Sequence, residues 1–225
     1  MIKNILNLGD AALYCDFGKA VDKETNSMVI RYFKNIKQKK IRGIINLTPS
    51  YNKLIISFDL KITNFEEIKK ILENLDVSES QSGISKKIEI PICCAESFSL
   101  DIKRLETKLS LNRDKIYENF LNKEYFCYMT GFIAGMPFLG DLGKDLRTNR
   151  LDTPRVKVPK GSVGLTEQFA NIYTFESPGG WNIIGNTPTT IFNRTTQKAP
   201  NLISPGDEVT FYEISKKEYI EIYEK

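Results

Sequence analysis

Two short stretches concentrate side chains and turns that could bind or transform a small molecule. In "ESPGGW" (residues 176–181), Glu176 and Ser177 precede a Pro-Gly-Gly turn that delivers Trp181, the one tryptophan of the chain. Glycine permits positive φ and close backbone approach, and the N–H groups of Gly179 and Gly180 could form an anion nest. Glu176 could serve as acid, base or cation partner, and Trp181 offers a flat apolar face with one donor. The same residues also describe a turn anchored by a buried tryptophan, so pocket wall and structural turn both stand. In "LDTPRVKVPKGSVG" (residues 151–164), Arg155 and Lys157 are two apart and share a face if the chain is extended. The arginine fork suits a carboxylate or phosphate. Lysine and proline also guard sheet edges, so a solvated edge strand is the alternative.

Composition limits the chemistry. The 225 residues contain no histidine, which excludes a Ser-His-Asp triad, an HExxH zinc site and an imidazole general base. Acid–base work falls to carboxylates, lysine, tyrosine, cysteine or backbone groups. Cys15, Cys93, Cys94 and Cys127 show no CxxC spacing; they read as reduced structural thiols, and no metal site is legible. "GMPFLGDLGKD" has Asp141 where a P-loop needs lysine, and GxGxxG is absent, so the usual glycine-rich nucleotide loops are missing. The formal charge of +4 is dispersed. Its densest run, Lys34 to Arg42, falls at a predicted helix C-terminus, where cations are favourable, and reads as a solvated helix end rather than a nucleic-acid site. The opening "MIKNILNLGD" is too short and polar for a signal peptide, and no apolar run reaches membrane-spanning length. We therefore expect a cytoplasmic chain acting without nucleic acid or membrane.

Periodicity places these stretches on elements. A strand is predicted within "AALYCDFG", then a helix burying Met28, Val29, Tyr32, Phe33 and Ile36. Two strands follow, the second with Leu54, Ile56, Phe58, Leu60 and Ile62 on one face. A helix capped by Asn64, with Glu67 completing a capping box, buries Phe65, Ile68, Ile71, Leu72 and Leu75. This order predicts a small α+β domain over residues 1–80, ferredoxin-like if "KIEIPI" or its neighbour supplies the last strand. The serine-rich residues 77–87 read as a linker. The second domain, 81–225, should open with one strand and two helices, the second starting at Asn112 with Leu111 and Ile116 as a hydrophobic staple. Ten of fourteen glycines and seven of nine prolines lie between Gly131 and Gly206. They punctuate "GSVGL", "NIYTFE", "WNIIG", "TTIFN" and "DEVTFYEI", the texture of a closed or nearly closed β structure.

Four blocks in this order, "GFIAGMPFLGDL", "RLDTPRVKVPKGSVGL", "IYTFESPGGWNIIGNTP" and "LISPGDEVTFYEI", resemble those of the KipI / allophanate hydrolase subunit 1 family. The resemblance covers about residues 88–214. It implies a cyclophilin-like β-barrel after a small α+β domain, although such a barrel alone implies no peptidyl-prolyl isomerase activity. It implies a partner of the allophanate hydrolase subunit 2 type, equivalent to the 5-oxoprolinase C-type subunit, and a third, LamB/YcsF-type protein as the A-type subunit. The assembly implied is an ATP-dependent 5-oxoprolinase converting 5-oxo-L-proline to L-glutamate, with ATP used at the level of the complex. Inhibition of a sensor histidine kinase, as the KipI name implies, and a role as allophanate hydrolase subunit 1 are the alternatives. Within the matching blocks, Arg155, Ser162, Ser177, Gly179, Gly180 and Trp181 are the ligand-binding candidates and Glu176 the catalytic one. Arg155 would hold an anion, Glu176 would position or deprotonate, and Trp181 would cover an apolar face. Arg155→Ala is then expected to fold normally and lose ligand binding.

The chain departs from the family pattern in several places. A histidine usual before the first block is replaced by Phe120. The proline and second phenylalanine of that block are Ala134 and Met136. After "GSV", where Ala-Gly-x-Gln-Thr-Gly is common, the chain has Thr166-Glu167-Gln168-Phe169-Ala170-Asn171. A carboxylate and a bulky aromatic thus stand where a flexible glycine and a polar glutamine are expected, which bears on ligand choice.

Overall fold

In the computed structural model, which describes residues 1–77, 85–196 and 199–224, the alternations and stripes resolve into two units, Met1–Ser85 and Lys86–Lys225. Most of the predicted linker, 78–84, lies outside the described residues.

The first unit is a sheet of β1 (Asn4–Asn7), β2 (Ala12–Asp16), β3 (Ile44–Pro49) and β4 (Lys53–Phe58), ordered β1-β2-β4-β3. Leu13 and Cys15 of β2 and Leu54, Ile56 and Phe58 of β4 are buried on one face. They pack with Val29, Tyr32 and Ile36 of α1 (Lys23–Lys39) and with Ile68 and Leu72 of α2 (Phe65–Glu73). Asp22 caps α1 by accepting from the Thr25 N–H at 2.7 Å. Asn64 caps α2 through the Glu67 N–H. The reciprocal half of the expected capping box is missing, because the Glu67 carboxylate accepts from Thr63 Oγ1 instead.

Other expectations for this unit also need correction, and one is Ile71, expected in the buried stripe of α2 but 38% exposed. The ferredoxin-like order is not found as expected, since the strand beside β2 is β1, which pairs antiparallel with it through a short turn at Gly9. Antiparallel neighbours need only a hairpin, and "KIEIPI" is used elsewhere. The buried alternation of β4 also stops at Phe58, and Leu60 and Ile62 are exposed beyond the strand end.

The barrel strands of the second unit are β5 (Lys87–Cys93), β6 (Tyr125–Thr130), β7 (Pro137–Gly140), β9 (Ser162–Thr166), β10 (Phe169–Ile172), β12 (Asn182–Asn186) and β13 (Glu208–Ile214). They close in the order β10-β7-β6-β13-β5-β12-β9. Only β13 and β5 pair in parallel; the other pairings are antiparallel. A separate ribbon pairs β8 (Arg155–Val158) with β11 (Ser177–Gly179). One core cluster takes Ile90, Ile92, Cys127, Leu139, Val163, Leu165, Ala170, Ile172, Ile184, Val209 and Phe211 from the barrel strands. The predicted helices α3 (Ile102–Leu109) and α4 (Arg113–Leu121) add Ile102, Leu105, Ile116, Tyr117 and Phe120 to it. Asn112 caps α4 through the Lys115 N–H, as its position predicts. "TTIFN" forms no strand, only an isolated bridge between Phe192 and Asn201. A C-terminal helix, α5 (Lys216–Tyr223), starts at a full capping box between Ser215 and Glu218. Among the described residues, no helix is long and apolar enough to cross a membrane.

Candidate functional site

Side chains alternate along each barrel strand, so the neighbours of core residues face outward. On β6, β7 and β10 these outward residues include several aromatics. Phe126, Tyr128, Phe169, Phe138 and Trp181 follow one another in edge-to-face contacts, with centroids 5.0, 5.7, 6.4 and 5.6 Å apart in that order. Each is at most 9% exposed. Edge-to-face packing aligns ring edges with ring faces and fixes ring orientation. Trp181 ends this ladder, and Arg150 lies over it, its guanidinium carbon 5.9 Å from the ring centre.

At that end is a cavity of about 90 Å³ lined by Phe132, Met136, Phe138, Arg150, Tyr173, Gly179, Gly180 and Trp181. A larger concavity, about 390 Å³, lies in the first unit beside Met1, Lys3, Asn4, Tyr32, Lys69 and Glu73. Its walls include the exposed chain start and solvated side chains, so convergent chemistry favours the smaller one.

Gly179 is required by close approach, since a Cβ there would overlap the Tyr173 hydroxyl. Neither Gly179 nor Gly180 has a positive φ, which corrects the anion-nest expectation. A Cβ on Gly180 would make only ordinary contact with Pro154. The Leu151 N–H donates to the Gly180 carbonyl at 2.7 Å and ties the turn to the segment carrying Arg150.

Tyr173 is 1% exposed. Burial pushes its ionisation up, opposed by hydrogen bonding from the Asn171 side chain and the Trp181 backbone and by the charges of Arg150 and Arg155. The hydroxyl therefore stays protonated near neutral pH and is available as a donor. Asn171 is fully buried with its Oδ1 unpartnered among the described residues.

The other predicted residues divide. Arg155 donates from Nη2 to Asp101 Oδ1 at 2.6 Å, and Asp101 Oδ2 accepts from the Ile183 N–H at 2.7 Å. The anion that Arg155 holds is thus a buried carboxylate of its own chain, and the pair ties β8 to β12 beside Trp181. Its Nη1 and the Ser177 Oγ are buried without a partner among the described residues. Glu176 pairs with Lys157 at 3.1 Å, both largely exposed, a geometry that contributes little energy. Ser162 lies elsewhere. Asn186 Nδ2 donates to its Oγ and to the Lys160 carbonyl, and Tyr219 of α5 donates to Asn186 Oδ1 at 2.8 Å. That network anchors the C-terminal helix.

Of the predicted set, the cavity brings together Gly179, Gly180 and Trp181. Residue-by-residue reading missed Arg150, Tyr173 and Phe138. All three lie inside the quoted blocks, but only placement on the barrel's outer wall makes them converge. The departures also find their places. Phe120 is fully buried between Tyr125 and Phe211. Glu167 holds a left-handed φ of 46° at the β9–β10 turn, and Phe169 joins the ladder. Met136 lines the cavity, and the Ala134 carbonyl accepts from Thr174. No group of three or more His, Cys, Asp or Glu able to hold a metal occurs among the described residues.

Residues 3–203 match the family described as carboxyltransferase domain, subdomain C and D. The 5-oxoprolinase B subunit of Bacillus subtilis (strain 168) is 30% identical over 227 residues, covering 96% of this chain and 94% of that protein. The Haemophilus influenzae 5-oxoprolinase B subunit is 28% identical over 212 residues, covering 92% and 96%. Among solved structures, TTHA0988 is similar with a TM-score of 0.83 at 25% identity, over 92% of this chain and 41% of that chain. This chain therefore spans less than half of that larger one. From its four ordered blocks, its barrel and the extent of these matches, the chain belongs to the KipI / allophanate hydrolase subunit 1 family, the carboxyltransferase-domain subdomain C and D family.

Proposed function

We propose that this chain is the B-type subunit of a heteromeric, ATP-dependent 5-oxoprolinase that opens 5-oxo-L-proline to L-glutamate. The observation that carries this reading is the end-to-end similarity to the B. subtilis B subunit. The partners are a C-type subunit, of the allophanate hydrolase subunit 2 kind, and an A-type subunit of the LamB/YcsF kind, and the barrel is of the cyclophilin-like kind. Opening an unstrained lactam is uphill and needs coupling to ATP. Phosphorylating the amide oxygen makes its carbonyl electrophilic, and cationic and N–H donors favour such chemistry.

The cavity suits a small substrate better than a nucleotide. At about 90 Å³ it is well below the usual range of roughly 300–1,000 Å³ for ligand pockets, so ATP acts outside this cavity, at the level of the complex. Gly179, Gly180 and Trp181 form the wall, while Arg155 acts through Asp101 as a positioning residue. Glu176, exposed just ahead of the framing ribbon, is the side chain a partner would reach, while the buried Ser177 Oγ supports the turn from within.

The test is reconstitution with C-type and A-type partners, followed by measurement of glutamate release. The reading requires release that depends on both ATP and 5-oxoproline.

A further inference from the structure

We infer that Arg150 and the Tyr173 hydroxyl form a carboxylate subsite at the end of the aromatic ladder, selecting compact monocarboxylates that carry one small ring. This deepens the reading above and rests on it only for the identity of the natural ligand.

Two of the three cations near the cavity are already neutralised. Arg155 is occupied by Asp101 and Lys157 by Glu176. Arg150 makes no ion pair among the described residues, yet it lines the cavity with its guanidinium over Trp181. A guanidinium held over an aromatic face keeps its N–H edges free, and those edges match a carboxylate's two oxygens. The second donor is the hydroxyl of Tyr173, fixed beside Gly179 and kept in its O–H form by burial. Charge and donor thus both line the cavity, while Phe138 and Trp181 supply its apolar wall.

Size narrows the ligand. The volume of about 90 Å³ lies well below the roughly 300–1,000 Å³ of pockets that enclose larger ligands, so the enclosed space suits one small ring better than a nucleotide. A neutral ring offers the guanidinium fork and the hydroxyl no pair of charged acceptor oxygens, so discrimination should rest on the carboxylate.

Because Trp181 is the single tryptophan, its emission reports occupancy without partner or ATP. The full chain would be titrated with 5-oxo-L-proline, with cyclopentanecarboxylate and with the uncharged lactam 2-pyrrolidinone. The expected result is a saturable change with carboxylates and binding of 2-pyrrolidinone at least about tenfold weaker, the scale of one lost charged hydrogen bond. Arg150→Gln should weaken the carboxylates by about tenfold or more and leave 2-pyrrolidinone unaffected. Tyr173→Phe should weaken them by a smaller factor, and Lys160→Gln, an exposed cation outside the cavity, should change nothing. Arg150 is exposed, so its variants should fold; Arg150→Lys, which keeps the charge, should retain part of the affinity. Equal binding by wild type and Arg150→Gln, equal affinity for the uncharged lactam, or no response to either carboxylate would overturn the subsite. Arg150-dependent binding of cyclopentanecarboxylate with none of 5-oxoproline would support the subsite and overturn the oxoprolinase reading. Turnover of 5-oxoproline by a complex carrying Arg150→Gln at the wild-type rate would do the reverse.

Discussion

Gly179 and Glu167 carry opposite kinds of constraint. Adding a Cβ at Gly179 drives it into the buried Tyr173 hydroxyl, so Gly179→Ala should destabilise the chain by about 1–3 kcal/mol through overpacking. It should also shift Trp181 emission; a urea midpoint and spectrum indistinguishable from wild type would remove the close-approach argument. Glu167 stands in the left-handed region, where the family pattern expects glycine. Relieving that conformation with Glu167→Gly should raise stability, read from the urea midpoint, by roughly 0.5–1 kcal/mol after allowing for glycine's unfolded-state entropy. The cysteines show the value of composition alone. All four are buried and free, and burial pushes the Cys15 and Cys94 thiols up to about 12. A raised pKa keeps the thiol protonated and unreactive at mildly alkaline pH. Iodoacetamide should therefore label the native chain far more slowly than the chain in urea.

Among the elements, the Arg155–Asp101–Ile183 connection joins β8 to β12 and changes one expectation drawn from sequence. Reading Arg155 as a ligand-facing group predicts that Arg155→Ala folds normally. With Asp101 5% exposed and paired to it, removing the guanidinium strands a buried carboxylate. Arg155→Ala should cost about 2–4 kcal/mol, and Arg155→Ala with Asp101→Asn should recover part of that loss. An unchanged thermal midpoint for the single variant would show that the pair is not structural.

In the first unit, the hydrogen bond from Lys53 and that from the Gly18 N–H hold the Asp16 carboxyl below its usual range. A depressed folded-state pKa gives stability that is present above the unfolded carboxylate value, about 3.9, and is lost as pH falls through the lower folded value. The contribution is about 1 kcal/mol or less for so small and partly solvated a pair. Asp16→Asn should flatten the acid limb of stability by that amount.

Legibility in the sequence depended on whether a signal was local. The Asn112 cap, the alternation of Leu54, Ile56 and Phe58, and the turn-punctuated barrel sequence act over a few residues and could be read directly. The β1 strand could not, because its apolar residues are few and pairing with β2 defines it. The C-terminal helix was legible in Ser215 and Glu218 and was missed. "TTIFN" has strand propensity, but propensity yields to pairing, and within it only Phe192 finds a bridge partner, Asn201, outside any strand. The site lies further from reach. The composition of "ESPGGW" admits both turn and pocket, with the turn the plainer reading, and Trp181 proves both buried and part of a cavity wall. Arg150 and Tyr173 join it only through barrel closure.

Over the molecular surface, two large apolar side chains stand out beside the site. Phe132, a cavity residue, is 72% exposed, and Val156, on β8 next to Arg155, is 81% exposed. Apolar anchors at the rim of a site fit a surface covered by another protein. Phe132→Asp and Val156→Asp should therefore weaken capture of the proposed C-type partner while leaving the thermal midpoint near wild type. Capture at wild-type affinity by both variants would place the interface elsewhere.

Glutamate release from the purified complex of this chain with the C-type and A-type proteins proposed as its partners is the decisive measurement. Release should require 5-oxo-L-proline, ATP and this chain together. A fully assembled complex that hydrolyses no ATP and releases no glutamate from 5-oxoproline would contradict the oxoprolinase assignment.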